Sequence, residues 1–290
     1  MSTNYKKVRA LLAATEIDMG GMPVRQPFPT KRFPDIDPFL LLHHADIKVP
    51  QHRDPTKTGV GPHPHRGFSP VTFVFKGGVH HRDSRGNSQA VYAGGTQWMH
   101  AGMGIVHSER PPEDIFDQGG RQEIIQLWVN SPAKHKMDQP SYFPLTAEDT
   151  PKVILDNGKV VFNIVSGEFM GTKGPIPTLS PVTTATGSLQ AGGSAFISVQ
   201  ENYQSFLYLL DGKIRIDGYG IVEGENAVLF DTTGKDIGIE ALEDTRVLWG
   251  SGQPIGEKIM TYGPYVMNDQ TQILEAMRDY QMGKMGVLVE

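Results

Sequence analysis

The sequence predicts an all-β protein: two antiparallel β-barrels in tandem, or sandwiches of the same strands, with one helix near the C-terminus. Three features carry this. Short strand-forming segments alternate with glycine- and proline-rich turns, a weak internal repeat spans the two halves, and a single stretch near the end has helical periodicity.

The 33 glycines and 21 prolines break the chain every few residues. The pieces between them are short and rich in Val, Ile, Leu, Phe and Tyr: "VTFVF" (71–75), "EIIQLWV" (123–129), "KVVFNIV" (159–165), "SFLYLL" (205–210), "NAVLF" (226–230) and "RVLWG" (246–250). Turn signals such as "KGG", "RGN", "DNG" and "LDG" follow them closely. Many short strands with such turns point to antiparallel barrels or sandwiches. The segments "VTFVFKGGVHHRD" (71–83) and "SFLYLLDGKIRID" (205–217) share an apolar strand, a polar–Gly turn and a second strand. That similarity suggests one architecture used twice. "NSPAKHKMDQPSYFPLTAEDTP" (130–151) is polar and broken by prolines, and reads as a linker. The expected organisation is an N-terminal domain at 1–135, a linker at 136–151 and a C-terminal domain at 152–290. Within the last, "NDQTQILEAMRDYQMGKMG" (268–286) reads as a helix packed on a barrel surface. Asn268 or Asp269 can cap its start, Ile273, Met277 and Tyr280 form an apolar stripe, and Gly283 or Gly286 can stop it.

Composition narrows the function. A formal charge of −5 disfavours direct contact with nucleic acid or an anionic membrane. No segment approaches the roughly 20 apolar residues of a membrane span, and the N-terminus lacks a signal-peptide core, so a cytoplasmic location is expected, or a nuclear one in a eukaryote. There is no cysteine, which removes disulfides, thiol nucleophiles, iron–sulfur clusters and thiolate zinc sites. A metal here needs nitrogen and oxygen ligands, a set that suits iron, manganese, zinc, nickel or copper(II). All ten histidines lie at or before His135, so imidazole chemistry is confined to the N-terminal half.

Two motifs focus that chemistry. His63 and His65 flank Pro64, and His107 and Glu109 share the same one-residue separation. Side chains at i and i+2 on a strand point to one face. Two such pairs on neighbouring strands would set three imidazoles and one carboxylate around a single point. Pro64 cannot donate to a sheet ladder, which places the first pair at a strand start or a sheet edge. An isolated H-x-H is more often solvated than ligating. The joint occurrence of both pairs beside Gly-rich turns, with no cysteine to compete, favours convergence on a metal.

The blocks "DPFLLLHHAD" (37–46), "PHPHRGFSPVTFVFKGGVHHRDSRGN" (62–87), "GGTQWMHAGMGIVHSE" (94–109) and "QLWVNSPAKHKM" (126–137) resemble the pirin family of the cupin superfamily, in the expected order. "SGEFMG" (166–171) and "GPYVMN" (263–268) extend the resemblance into the second half. It implies a bicupin: two small barrels, the N-terminal one holding a single iron. By motif position the ligands are His63, His65, His107 and Glu109, the same four that strand geometry selects. Where cupins usually carry a glutamate four residues after the second histidine of H-x-H, this chain has Ser69, which leaves Glu109 as the motif carboxylate.

The resemblance further implies one divalent ion, Fe(II) first and Mn, Zn, Ni or Cu as alternatives, and quercetin dioxygenase-type activity on a small aromatic substrate with dioxygen. Three neutral imidazoles and one carboxylate leave a divalent ion net positive, which favours an anionic oxygen donor such as a flavonol's deprotonated 3-hydroxyl. Glu109 is then also the candidate catalytic base. The alternative is a metal-dependent regulatory protein that contacts a protein partner without turnover. His44, Phe68, His81, Gln97 and Met103 are candidate pocket residues. His81 with Asp83 also reads as a pair orienting a ligand or substrate. The adjacent pairs His43–His44 and His80–His81 cannot both face one way on a strand. His52, His100 and His135 read as surface or turn residues. "GGTQWMHAGMG" lacks phosphate-loop spacing.

Overall fold

The structure, a computed structural model, describes residues 4–51 and 57–290, and the chain forms two compact units. One comprises Asp18–Val24, Phe39–Asp149 and Ile255–Glu290; the other comprises Met1–Ile17, Arg25–Pro38 and Thr150–Pro254. The two expected β-folds are present, each built as a pair of antiparallel sheets.

In the histidine-bearing unit, Ser141–Leu145, Thr96–His100, Phe68–Lys76, Gly120–Asn130 and Phe39–Val49 lie side by side in that order in one sheet. The second sheet has four strands in the order Val60–His65, Ile105–Arg110, Gly78–Asp83 and Ser88–Tyr92. Val60–His65 is an edge strand, which is where Pro64 is tolerated. The two sheets meet across apolar contacts such as Val74 against Val79 and Val91. Alternation along Gly120–Asn130 divides that strand cleanly. Ile125, Leu127 and Val129 are buried on one face, while Ile124, Gln126 and Trp128 are only partly covered on the other.

The second unit repeats the arrangement. A seven-stranded sheet and a four-stranded sheet enclose one core that includes Phe162, Leu207, Phe230 and Trp249 from the first and Ile197, Ile214, Ile237 and Ile239 from the second. The matching hairpins, Phe68–Lys76 with Gly78–Asp83 and Gln204–Asp211 with Lys213–Ile216, occupy equivalent places in the two strand orders. Where the first unit has the strands of the two motif pairs, the second has Ser194–Ser198 and Asp236–Ala241, whose interior positions are the apolar Ala195, Ile197, Ile237, Ile239 and Ala241.

The boundaries differ from those read in the sequence. Val8–Ala13 pairs with Asn226–Phe230 and so belongs to the second unit, a pairing between segments too distant in sequence for any local signal. Part of the expected linker is a strand: Ser141–Leu145 pairs with Thr96–His100 at a sheet edge, where Pro144 removes no central ladder bond. The helix spans Gln270–Gln281, capped by the Asp269 side chain accepting from the Gln272 backbone N–H, and belongs to the histidine-bearing unit. Its buried contacts are Ile273 and Ala276, which pack with Val106, Tyr265, Met267 and Met285; Tyr280 is exposed. Among the described residues no helix is long and apolar enough to cross a membrane.

Candidate metal centre

The three histidines of the two motif pairs converge. Val60–His65 and Ile105–Arg110 are adjacent antiparallel strands, with His107 directly opposite His63 and His65 opposite Ile105. The side-chain ligand atoms of His63, His65 and His107 all lie within 4.8 Å of one another. Ring centroids are 4.7 Å apart for His63–His65, 4.4 Å for His63–His107 and 5.0 Å for His65–His107. His65 and His107 are buried, and His63 partly so.

The second nitrogens of the first two rings decide what the group can do. His63 Nδ1 lies 2.8 Å from the Gly61 carbonyl oxygen, and His65 Nδ1 lies 3.3 Å from that of Pro264. A carbonyl only accepts, so both Nδ1 atoms carry the hydrogen and both Nε2 atoms of the neutral rings are bare lone pairs. Those two Nε2 atoms face each other at 3.0 Å. His107 Nε2 is buried without a hydrogen-bond partner. Burial pushes His65 and His107 well below the ordinary imidazole range, and the neighbouring histidines push the same way. Neutral rings with inward lone pairs and an orphaned buried nitrogen fit a divalent transition-metal ion as the missing partner.

Glu109 lies outside the group of three but lines the same cavity as His63 and His65. A break in strand register between His107 and Glu109 separates it from its partner strand's spacing. Its two oxygens accept from Thr72 Oγ1 at 2.5 Å and Gln126 Nε2 at 2.7 Å. The Gln126 amide is oriented by Trp128, whose Nε1–H donates to Gln126 Oε1 at 3.3 Å. The cavity measures about 730 Å³, and its walls include Met19, Met22, Ile47 and Trp128, with Lys48 and Lys57 also on its lining.

The pirin pattern matches residues 21–129, and that of the pirin C-terminal cupin domain matches residues 184–286. Pirin-like protein 2 of Arabidopsis thaliana is 32% identical over 290 residues, covering 96% of this chain and 85% of that one. A pirin-like protein of Solanum lycopersicum is 33% identical over 285 residues, covering 96% and 92%. The chain belongs to the pirin family. A crystal structure of quercetin 2,3-dioxygenase from Acinetobacter baumannii superposes on this pirin with a TM-score of 0.92, at 33% identity, covering 98% of this chain and 99% of that one.

The other residues singled out in the sequence of this pirin lie around the cavity rather than on its walls. Phe68 is fully buried behind the site, with its ring 5.0 Å from that of His65 and 4.3 Å from that of Trp128. His44 is buried against Glu123 at 3.3 Å, on the strand face opposite His43, because adjacent residues alternate. Gln97 is buried and donates to the Val79 carbonyl at 2.8 Å. Met103 sits in a turn, where its carbonyl accepts from Arg66 Nε at 2.6 Å. His81 is buried behind His107, not on the cavity wall, while His80 turns outward to Ser88. His100 is not a surface residue: it is 7% exposed and bonds Ser69 Oγ at 2.7 Å. Ser69 is therefore engaged with His100, away from the three ligand candidates. His135 forms a surface pair with Asp138, and His52 lies outside the described residues. The residues missed in the sequence are Thr72, Gln126 and Trp128, together with Met19, Met22 and the Pro264 carbonyl. Thr72 and Gln126 had a signal, since each is a polar residue flanked by apolar ones, in "VTFVF" (71–75) and "IIQLWV" (124–129).

Proposed function

We propose that this pirin is an iron-dependent dioxygenase that opens a flavonol such as quercetin, with the metal held by His63, His65, His107 and Glu109. The observation that carries the reading is a cluster of three imidazoles, His63, His65 and His107, of which His63 and His65 line a cavity of about 730 Å³. Ligand pockets for drug-sized molecules run from about 300 to 1,000 Å³. The relationship to the Acinetobacter baumannii quercetin 2,3-dioxygenase supports the substrate class.

When bound, the ion would supply a Lewis acid for the substrate's enolate-type oxygen and a redox centre for dioxygen. The chain's residues supply the rest. Trp128 offers a flat aromatic wall against which a planar polyphenol can stack. Met19, Met22 and Ile47 exclude water from the remainder of its surface. Glu109 accepts the proton of the flavonol 3-hydroxyl. Thr72 and Gln126 hold the carboxylate by one oxygen each, so the base is oriented before substrate arrives. Neutral His65 and His107 leave the charge on Glu109 as the negative partner of the site.

The test is turnover by protein loaded anaerobically with iron and then given flavonol and oxygen. Loss of flavonol absorbance is expected to match oxygen uptake and carbon monoxide release. Glu109→Gln is expected to keep more metal than Glu109→Ala and still lose most turnover, because an amide cannot take the proton. Iron-loaded wild type that consumes no oxygen, yet binds a protein partner only with metal present, would favour a regulatory role instead.

A further inference from the structure

The three histidines are not held alike. His63 and His65 direct Nδ1 to backbone carbonyls, which are fixed by the fold. His107 instead has its Nδ1 3.4 Å from the Nδ1 of another side chain, His81. Two imidazole nitrogens can share one hydrogen only if one donates and the other accepts, and the contact alone does not say which.

The far side of His81 resolves it. His81 Nε2 lies 2.9 Å from Asp83 Oδ2. Asp83 also accepts from the Arg85 N–H at 2.9 Å, the Asn87 N–H at 3.1 Å and Asn87 Nδ2 at 2.8 Å. Three other donors aimed at this carboxylate leave it only the accepting role, so when the His81 ring carries a single hydrogen it sits on Nε2. His81 Nδ1 is then a bare acceptor, and the shared hydrogen belongs to His107 Nδ1. It follows that His107 Nε2 is the lone pair, and this is the atom found buried without a partner.

Strand geometry makes the relay possible. Gly78–Asp83 runs antiparallel to Ile105–Arg110, with Asp83 opposite His107 and His81 opposite Glu109, so all four side chains share one face. The His81 ring is clamped by Tyr142, with centroids 3.9 Å apart and planes 6° from parallel. Tyr142 is itself placed by the pairing of Ser141–Leu145 with Thr96–His100.

We propose that His81, held by Asp83 and Tyr142, is a positioning residue that fixes His107 as the Nδ1–H tautomer and so turns its Nε2 toward His63 and His65. His107 is thereby the one ligand of the three whose orientation rests on exchangeable side chains. The inference uses the proposed metal site for its affinity readout only; the tautomer is read on metal-free protein, so the two can fail separately.

The experiment uses the full chain, labelled with ¹⁵N. Long-range ¹H–¹⁵N spectra of metal-free wild type are expected to show His107 in the Nδ1–H form. His81→Phe keeps the stack on Tyr142 but removes the acceptor; His107 is expected to shift to a tautomer mixture or to Nε2–H. Zn(II) affinity should fall about 10- to 100-fold, as for other partners of metal-bound histidines. His81→Asn restores an acceptor near the Nδ1 position and is expected to recover the tautomer and part of the affinity. The spectra of His63 and His65, held by carbonyls, should not change. Wild-type His107 in the Nε2–H form would overturn the proposal, even if no variant folds. So would His81→Phe with an unchanged His107 tautomer, whether or not zinc binds more weakly.

Discussion

Gly67→Ala is expected to loosen both the fold and the metal site, because of where Gly67 sits. It follows the H-x-H strand at φ 85°, a left-handed conformation that costs a residue with a Cβ about 1–2 kcal/mol. A Cβ there would overlap the Val266 carbonyl oxygen and would lie 2.7 Å from the Met267 sulfur. The Val266 backbone is not free to withdraw. The Val266 carbonyl accepts from buried Lys136 Nζ at 3.0 Å, the Gly67 carbonyl accepts from the same nitrogen at 2.7 Å, and the Val266 N–H donates to the Arg66 carbonyl at 3.1 Å. Pushing Val266 away weakens one hydrogen bond to a charged group, worth about 1.5–3 kcal/mol. The stiffer unfolded chain returns about 0.4–1 kcal/mol. The net loss is about 1.5–4.5 kcal/mol. Pro264, two residues before Val266, supplies the carbonyl for His65 Nδ1, so metal affinity should fall as well. The assay is urea unfolding of the metal-free full chain followed by tryptophan fluorescence, with zinc titration of the folded protein. A loss under about 1 kcal/mol with unchanged zinc affinity would refute the close packing of the C-terminal segment on this turn.

Two further outcomes are expected. His63→Ala, His65→Ala and His107→Ala should each lose most bound metal with the fold retained, whereas His80→Ala and His135→Ala should keep theirs; full occupancy in His107→Ala, by elemental analysis, would show that the pairs do not converge. The metal-free protein should also lose stability in mild acid. Burial drives the pKa of His43 down to about 4, and those of His65 and His107 well below the ordinary 6.5. Below pH 6.5 the unfolded chain therefore takes up protons that the folded one does not. The contribution of these histidines should be flat above that pH and fall as pH drops through the window beneath it, by about 1.4 kcal/mol per pH unit for each histidine involved. Unfolding midpoints that rise between pH 7.5 and 5.5 would contradict this.

How far the sequence was legible follows from the range of each interaction. H-x-H and H-x-E are period-two signals, and the strands they sit on are neighbours, so local alternation sufficed to bring His63, His65 and His107 together, while Glu109, past a register break, stands outside that group. The pocket residues were chosen by closeness in sequence to those motifs, and alternation works against that choice. Phe68 and His44 point into packed layers, and Met103 contributes a turn carbonyl. The true walls come from elsewhere. Gln126 and Trp128 occupy the half-covered face of a strand whose other face is core. Met19, Met22 and Pro264 arrive from segments far from the motifs in sequence, the Pro264 contact spanning 199 residues. The same distance hid the membership of the C-terminal helix, whose apolar stripe announced a packed helix but not its partner, Val106 on the strand of His107.

The most direct test of the account is the position of the metal itself. Crystals of the full chain loaded with iron under anaerobic conditions, with data at the iron absorption edge, give an anomalous map that locates every bound ion. One ion per chain is expected, within bonding distance of Nε2 of His63, His65 and His107 and open to the cavity bordered by Trp128. Anomalous density absent from that point, or a fully occupied ion in the unit containing Trp249, would contradict the account.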